Sequence, residues 1–151
     1  MRGFRGKRLD NSEWAYGDLI NCSSGKKYIF PTGNYANEEN KVGFEGCLKL
    51  NTFEIDPGTI GQYTGLKGKS GKEIYEGDIL KYTFDLPGSS YATENGLKIR
   101  IDKVFWSDFR VSFALGNEMR NHDLFRYVRN GNRVEIIGNI HDNPKLLEVE
   151  V

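Results

Sequence analysis

Three sets of residues in this chain of 151 carry groups able to do chemistry, and their spacing decides what that chemistry could be. Gly68-Lys69-Ser70 has the form of the end of a phosphate-binding loop. The full loop needs a glycine five residues earlier, so that successive backbone amides wrap the phosphates. That position holds Tyr63, and Gly61 stands two residues too early. The Lys72-Glu73-Ile74-Tyr75 that follows reads as a strand, not as a helix whose N-terminus faces an anion. A basic turn between strands is expected here, without a nucleotide.

Glu73, Glu76 and Asp78 are three carboxylates within six residues, a set able to hold a hard cation or to divide into acid and base. In a strand Glu76 and Asp78 share one face and Glu73 points away. Glu76-Gly77 has the composition of a tight turn, which leaves Asp78 to accept backbone hydrogen bonds at a strand entrance. His122, His141, Cys22 and Cys47 are the only imidazoles and thiols, and no two of them stand at a metal-ligand spacing. His122-Asp123 and His141-Asp142 are adjacent in sequence, which does not orient an imidazole, and no Gly-x-Ser-x-Gly elbow is present. Both histidines are expected in polar loops. No catalytic, metal-binding or cofactor-binding residue is assigned.

Recognition is the other route to function. Tyr63, Tyr75, Tyr82, Phe84, Phe105, Trp106, Phe109 and Phe113 crowd the second half of the chain. An aromatic platform beside lysines suits single-stranded nucleic acid or a peptide. In a small β protein most aromatics form the core instead, so the candidate interaction surface is narrower: Tyr63, Lys67, Lys69, Lys72 and Tyr75, a basic tip flanked by two tyrosines.

Composition sets what must position these groups. The chain has 18 glycines, 4 prolines and 13% aromatic residues, which favours pleated strands and tight turns over helix. Net charge is zero, 21 basic against 21 acidic residues, and splitting at Thr59 gives 8 against 8 and then 13 against 13. A nucleic-acid binder usually carries a basic excess on at least one module. The Arg2, Arg5, Lys7, Arg8 cluster reads as a solvated strand face. With two cysteines, no secretory pattern and no long apolar run, the protein is expected in the cytoplasm with free thiols and no membrane partner. Asn21-Cys22-Ser23 is then a chance glycosylation pattern.

Phe4 to Leu9 and Trp14 to Ile20, joined by Asp10-Asn11-Ser12, predict a hairpin, and Lys27 to Pro31 a third strand. Thr32 to Gly46 is polar and reads as an exposed loop, and Leu48 to Ile55 as a strand with a change of register. Asp56-Pro57-Gly58-Thr59 fits a type II turn, with Pro and Gly at its two central positions, and is the expected boundary between subdomains. Five glycines then punctuate Ile60 to Leu80. Asp78 to Phe84 predicts a strand and Asp85 to Gly96 a long mobile connection. Leu97 to Trp106 alternates with a phase slip at Asp102-Lys103, which predicts a bulge or kink. With Phe109 to Leu115 it forms the clearest hairpin. Leu124 to Val128 fits a short strand or a helical turn, Val134 to Ile140 a strand interrupted by Gly138, and Asn143-Pro144 a short C-terminal helical turn.

Five of these segments together resemble the YopX family of phage and prophage proteins. They are Phe4 to Asn11, Trp14 to Ile20, Ile55-Asp56-Pro57-Gly58-Thr59-Ile60-Gly61-Gln62-Tyr63-Thr64-Gly65-Leu66, Gly71 to Leu80, and Ile137-Gly138-Asn139-Ile140-His141-Asp142-Asn143-Pro144. They stand in matching order over nearly the whole chain, while the loops Thr32 to Gly46 and Asp85 to Gly96 match nothing in particular. The resemblance implies a β-rich fold with an N-terminal subdomain and a C-terminal SH3-type barrel, encoded in phage or prophage genomes. It implies no reaction and transfers no catalytic residue.

The expectation is therefore a mainly β protein with little helix, in which an N-terminal β subdomain (1–58) and an SH3-type barrel subdomain (59–151) pack as one unit. Its expected role is that of a non-enzymatic phage accessory protein that binds a host or phage protein, with self-association. Nucleic-acid binding through the lysine tip and the N-terminal basic residues is the alternative. A small hydrolase built on Glu76 and Asp78 is the remotest reading.

Overall fold

Short strands joined by tight turns pair as hairpins, and the strand pairings among the described residues, hairpin and long-range alike, are antiparallel. The computed structural model describes residues 3–31 and 52–148. Among them are eleven strands in two antiparallel sheets, one α-helix of six residues and two 3-10 turns, so the protein is mainly β. The chain divides into two units, Met1–Tyr63 and Thr64–Val151. The expected loop Thr32 to Gly46 and the start of the strand expected from Leu48 lie outside the described residues.

In the first unit β1 (Phe4–Lys7), β2 (Trp14–Asn21), β3 (Lys27–Pro31) and β4 (Phe53–Ile55) pair in the order β4-β3-β2-β1. The hairpin expected from Asp10-Asn11-Ser12 is present, with the Asn11 side chain accepting the Glu13 N–H at 2.9 Å. The inward face of β2 is the one carrying Ala15, Gly17 and Leu19, while Tyr16 and Asp18 face solvent. Small residues are required there because β3 runs close by: a Cβ on Gly17 would strike the carbonyl oxygen of Phe30. Ala15, Ile29 and Ile55 form the centre of this unit, with Phe4, Leu19, Phe53 and Ile60 packed on it.

Asp56 to Thr59 departs from the expected type II turn. Pro57–Thr59 is a 3-10 turn, and Gly58 does not adopt the positive φ of the type II form. The Asp56 carboxylate accepts the Gly58 N–H at 3.0 Å, and the Thr59 hydroxyl donates to the Asp56 carbonyl at 2.7 Å while accepting the Lys7 N–H at 2.8 Å. Side-chain capping has taken over what glycine geometry was expected to supply.

β5 (Gly61–Lys67) begins in the first unit, where Gly61 and Gln62 pair with β1, and continues into the second beside β6 (Glu73–Tyr75). β7 (Asp78–Tyr82), β8 (Arg100–Ser107), β9 (Ser112–Gly116), β10 (Asn121–Asp123) and β11 (Glu135–Asn139) form a five-stranded sheet in the order β10-β9-β8-β7-β11. This sheet is open. The closed SH3-type barrel expected from the resemblance is not seen; between β10 and β11 the chain forms helix α1 (Leu124–Arg129). Leu124 and Tyr127 of α1 join Ile74, Leu80, Tyr82, Val104, Leu115 and Val134 in the core.

The phase slip at Asp102-Lys103 has a different origin from the expected bulge. β8 pairs with β7 through Arg100 to Lys103 and with β9 through Val104 to Ser107, so the strand changes partner where its pattern changes phase. The β8–β9 turn is longer than expected. It takes up Asp108 to Val111, which removes Phe109 and Val111 from the strand. A register shift falls between Ile136 and Gly138, and Asn143 and Leu146 occupy the space that a Gly138 Cβ would need. Asp85 to Gly96 was expected as a mobile connection. Instead the Asp85 carboxylate holds the Thr93 N–H at 2.8 Å and hydroxyl at 2.9 Å, and the Asp85 N–H donates to Gly96 O at 2.9 Å.

Candidate functional site

The glycine-punctuated stretch folds as three short strands, with Gly65, Gly71 and Gly77 at positive φ. Lys67 and Lys72 are exposed, and the Lys69 ammonium lies 3.4 Å from the Glu135 carboxylate. Tyr75 is only 6% exposed and its hydroxyl donates to Glu73 at 3.1 Å, so its ring has no face to offer a base. Tyr63 is half-buried on β5. The tip therefore keeps its cations and loses one of its two aromatic partners.

Asp78 does what a strand-entrance carboxylate does: 2% exposed, it accepts the Tyr75 N–H at 2.8 Å and so closes the Glu76-Gly77 turn. Among the described residues no group of His, Cys, Asp and Glu could hold a metal ion. Cys22 is a free, half-buried thiol. The aromatic crowd divides as the core reading requires for Tyr75 and Tyr82, whereas Phe109 is 96% and Trp106 43% exposed.

His122 stands on β10, not in a polar loop. Its ring meets Phe84 edge-on at 4.7 Å between centroids, and Tyr127 at 6.4 Å. The Arg100 guanidinium carbon also lies over the Phe84 ring, 3.6 Å from its centroid. Phe84, Ile99, Arg100, Asp102, Asn117, Arg120 and His122 line a groove of about 270 Å³. β8 supplies Arg100 and Asp102, two residues apart and so on one face; the β9–β10 turn supplies Asn117 and Arg120. Asn117 folds that turn by accepting the N–H groups of Met119 and Arg120, each at 2.9 Å.

Partial burial pushes the His122 pKa below its ordinary value; Arg100, Arg110 and Arg120 act in the same direction and Asp102 against it. The Asp102 carboxylate accepts the Tyr82 hydroxyl at 2.7 Å. Burial first, and this bond second, hold the Tyr82 phenol protonated far above the usual range. Sequence reading missed Arg100, Asn117 and Arg120. The alternation of Arg100 and Asp102 against Ile99 and Ile101 was a visible signal, but the turn residues become neighbours only through β9–β10 pairing.

A second cavity of about 360 Å³ is lined by Lys69, Lys81, Leu86, Arg133 and Glu135. Two of its cations are engaged. Arg133 donates to the carbonyls of Thr83, Phe84 and Asn130 at 2.9, 2.8 and 2.7 Å, and Lys69 faces Glu135. A further surface feature is the β8–β9 turn, where Phe109 and Val111 stand 96% and 73% exposed and Val111 adopts φ 52°.

Fold and groove together define a protein of two antiparallel sheets, the second carrying a cation-lined groove at its β10 side. The chain belongs to the YopX family: that family's profile, described as YopX protein, matches residues 3–148. Among solved structures, a crystal structure of protein EF1440 from Enterococcus faecalis is similar at a TM-score of 0.55 and 22% identity, over 97% of this chain and 98% of that one. This likeness is one of fold. No curated protein matches the sequence.

Proposed function

We propose that this chain is a phage or prophage accessory protein of the bacterial cytoplasm that works by binding another protein, without turnover of its own, and that the β8–β9 turn is its contact. The observation that carries this reading is the pairing of exposure with strain in that turn. Phe109 and Val111 leave 96% and 73% of their surface to solvent. Val111 is β-branched and holds a left-handed φ of 52°, a conformation that costs about 1–3 kcal/mol and persists where surroundings impose it or function uses it. Apolar surface concentrated on a turn projecting from a hydrogen-bonded hairpin suits a protein partner that presents an apolar pocket.

Phe109→Ser with Val111→Ser tests it. The chain and the double variant are each used to recover partners from infected host cells, and any recovered protein is purified and re-bound. A partner that re-binds the chain and loses at least tenfold in affinity for the variant, with thermal unfolding unchanged, supports the reading. Recovery of no partner, or equal affinity for both proteins, contradicts it. Sedimentation of the two proteins reads whether the partner is a second copy of this chain.

A further inference from the structure

Four side chains with hydrogen-bond donors line the β8–β10 groove, and none donates to an acceptor among the described residues. They are Arg100, Arg120, His122 and the amide of Asn117. Arg100 is held by contact, not by charge: its guanidinium lies on Phe84 and its Nε–H is buried without an acceptor. Such an orphan costs about 1–3 kcal/mol. What results is a planar cation fixed at the groove wall. Arg120 is exposed on a turn whose shape is set by the Asn117 side-chain oxygen Oδ1, which leaves the Asn117 NH₂ group without an acceptor among the described residues.

The groove is not uniformly cationic. Asp102 also lines it, with one carboxylate oxygen occupied by the Tyr82 hydroxyl and the other without a partner among the described residues. A phosphate or sulfate alone is repelled by that carboxylate. A nucleotide satisfies both kinds of group, because its phosphate accepts hydrogen bonds and its base edge donates them. Ile99 in the lining and Met119 on the adjoining turn, both exposed, give the sugar and base apolar surface. The volume of about 270 Å³ suits one nucleotide unit, not a protein element.

We propose that the groove binds a nucleotide through its phosphate, held by Arg100, Arg120, His122 and Asn117, with Asp102 accepting from the base. This site uses none of the apolar residues of the β8–β9 turn and stands without the protein-partner reading. The nucleotide is either free or one unit of a single strand, and the two sources share the same phosphate chemistry.

The test uses the full chain at low ionic strength, with guanosine monophosphate, a terminally phosphorylated single-stranded oligonucleotide, inorganic phosphate and a phosphoserine peptide as probes. The expected result is binding of the mononucleotide or the strand. Arg120→Ala, at an exposed position, lowers it about tenfold or more while the melting curve stays in place, and Arg120→Lys restores part of it. For the strand, the same substitution reduces the slope of log affinity against log salt by about 0.7. Equal affinity for mononucleotide and strand assigns a free nucleotide, and preference for the strand assigns the polymer. No binding of either, binding indifferent to Arg120→Ala, preference for the phosphopeptide, or inorganic phosphate binding as well as the nucleotide overturns the proposal.

Discussion

The Tyr82 hydroxyl donates to the Asp102 carboxylate at 2.7 Å, which ties the core of the second unit to the wall of its groove. Tyr82 is 2% exposed and stacks obliquely on Tyr127 at 4.9 Å, so the phenol is fixed on both sides. Tyr82→Phe keeps the packing and removes the bond, with an expected cost of about 1 kcal/mol in urea denaturation. The phenol pKa is raised in the folded state, so stability is full below the unfolded tyrosine value of about 10 and falls as pH rises through it. Tyr82→Phe should flatten part of that alkaline decline.

His122 gives the opposite limb. Its folded pKa lies below 6.5, because partial burial disfavours the charged ring. The charged groups facing it are Arg100, Arg110 and Arg120, which reinforce the shift, and Asp102, which opposes it; Tyr127 meets it as a neutral ring. As pH falls through 6.5 the unfolded chain takes up a proton before the folded one, so stability declines until the lower folded value is passed. The melting temperature should drop on acidification from neutral pH, and less so for His122→Asn. An equal drop in both proteins would place the acid sensitivity elsewhere.

Asp78→Asn separates a structural carboxylate from a catalytic one. The buried carboxylate accepts the Tyr75 N–H across a two-residue turn. Replacing a charged acceptor by an amide at a buried site should cost about 1–3 kcal/mol, read as a lower denaturation midpoint. An unchanged midpoint would contradict the structural role.

How much of this was legible in the chain depended on range. The first hairpin, the Lys27 to Pro31 strand and the turn role of Asp78 follow from residues a few positions apart, and the structure has them. The helical turn at Leu124 to Val128 was one of two readings, and Asp123, whose carboxylate accepts the Phe125 N–H at 3.2 Å, decides it for helix. What local pattern could not carry was partner choice. β8 gives its halves to two different strands, which from sequence looks like a bulge. The groove was invisible for the same reason: Phe84, Arg100 and the Arg120–His122 stretch come from three places that only the sheet order β10-β9-β8-β7 brings together.

The strain at Val111 is itself testable. Glycine adopts a φ of 52° without steric cost, whereas valine does not. Val111→Gly should raise stability by about 1 kcal/mol, the relief of strain outweighing the added freedom of the unfolded chain. Val111→Ala keeps the strain and should not. A loss of stability in the glycine variant would show that the valine side chain packs in the free protein.

Direct contact by the β8–β9 turn is the claim on which the functional reading rests, and a photoreactive phenylalanine analogue placed at residue 109 in host cells measures it. Position 91 serves as the control, since Tyr91 is comparably exposed but lies in the Asp85 to Gly96 connection. The account predicts a discrete protein adduct from position 109 that is absent from position 91. No adduct from 109, or the same adducts from both positions, would contradict it.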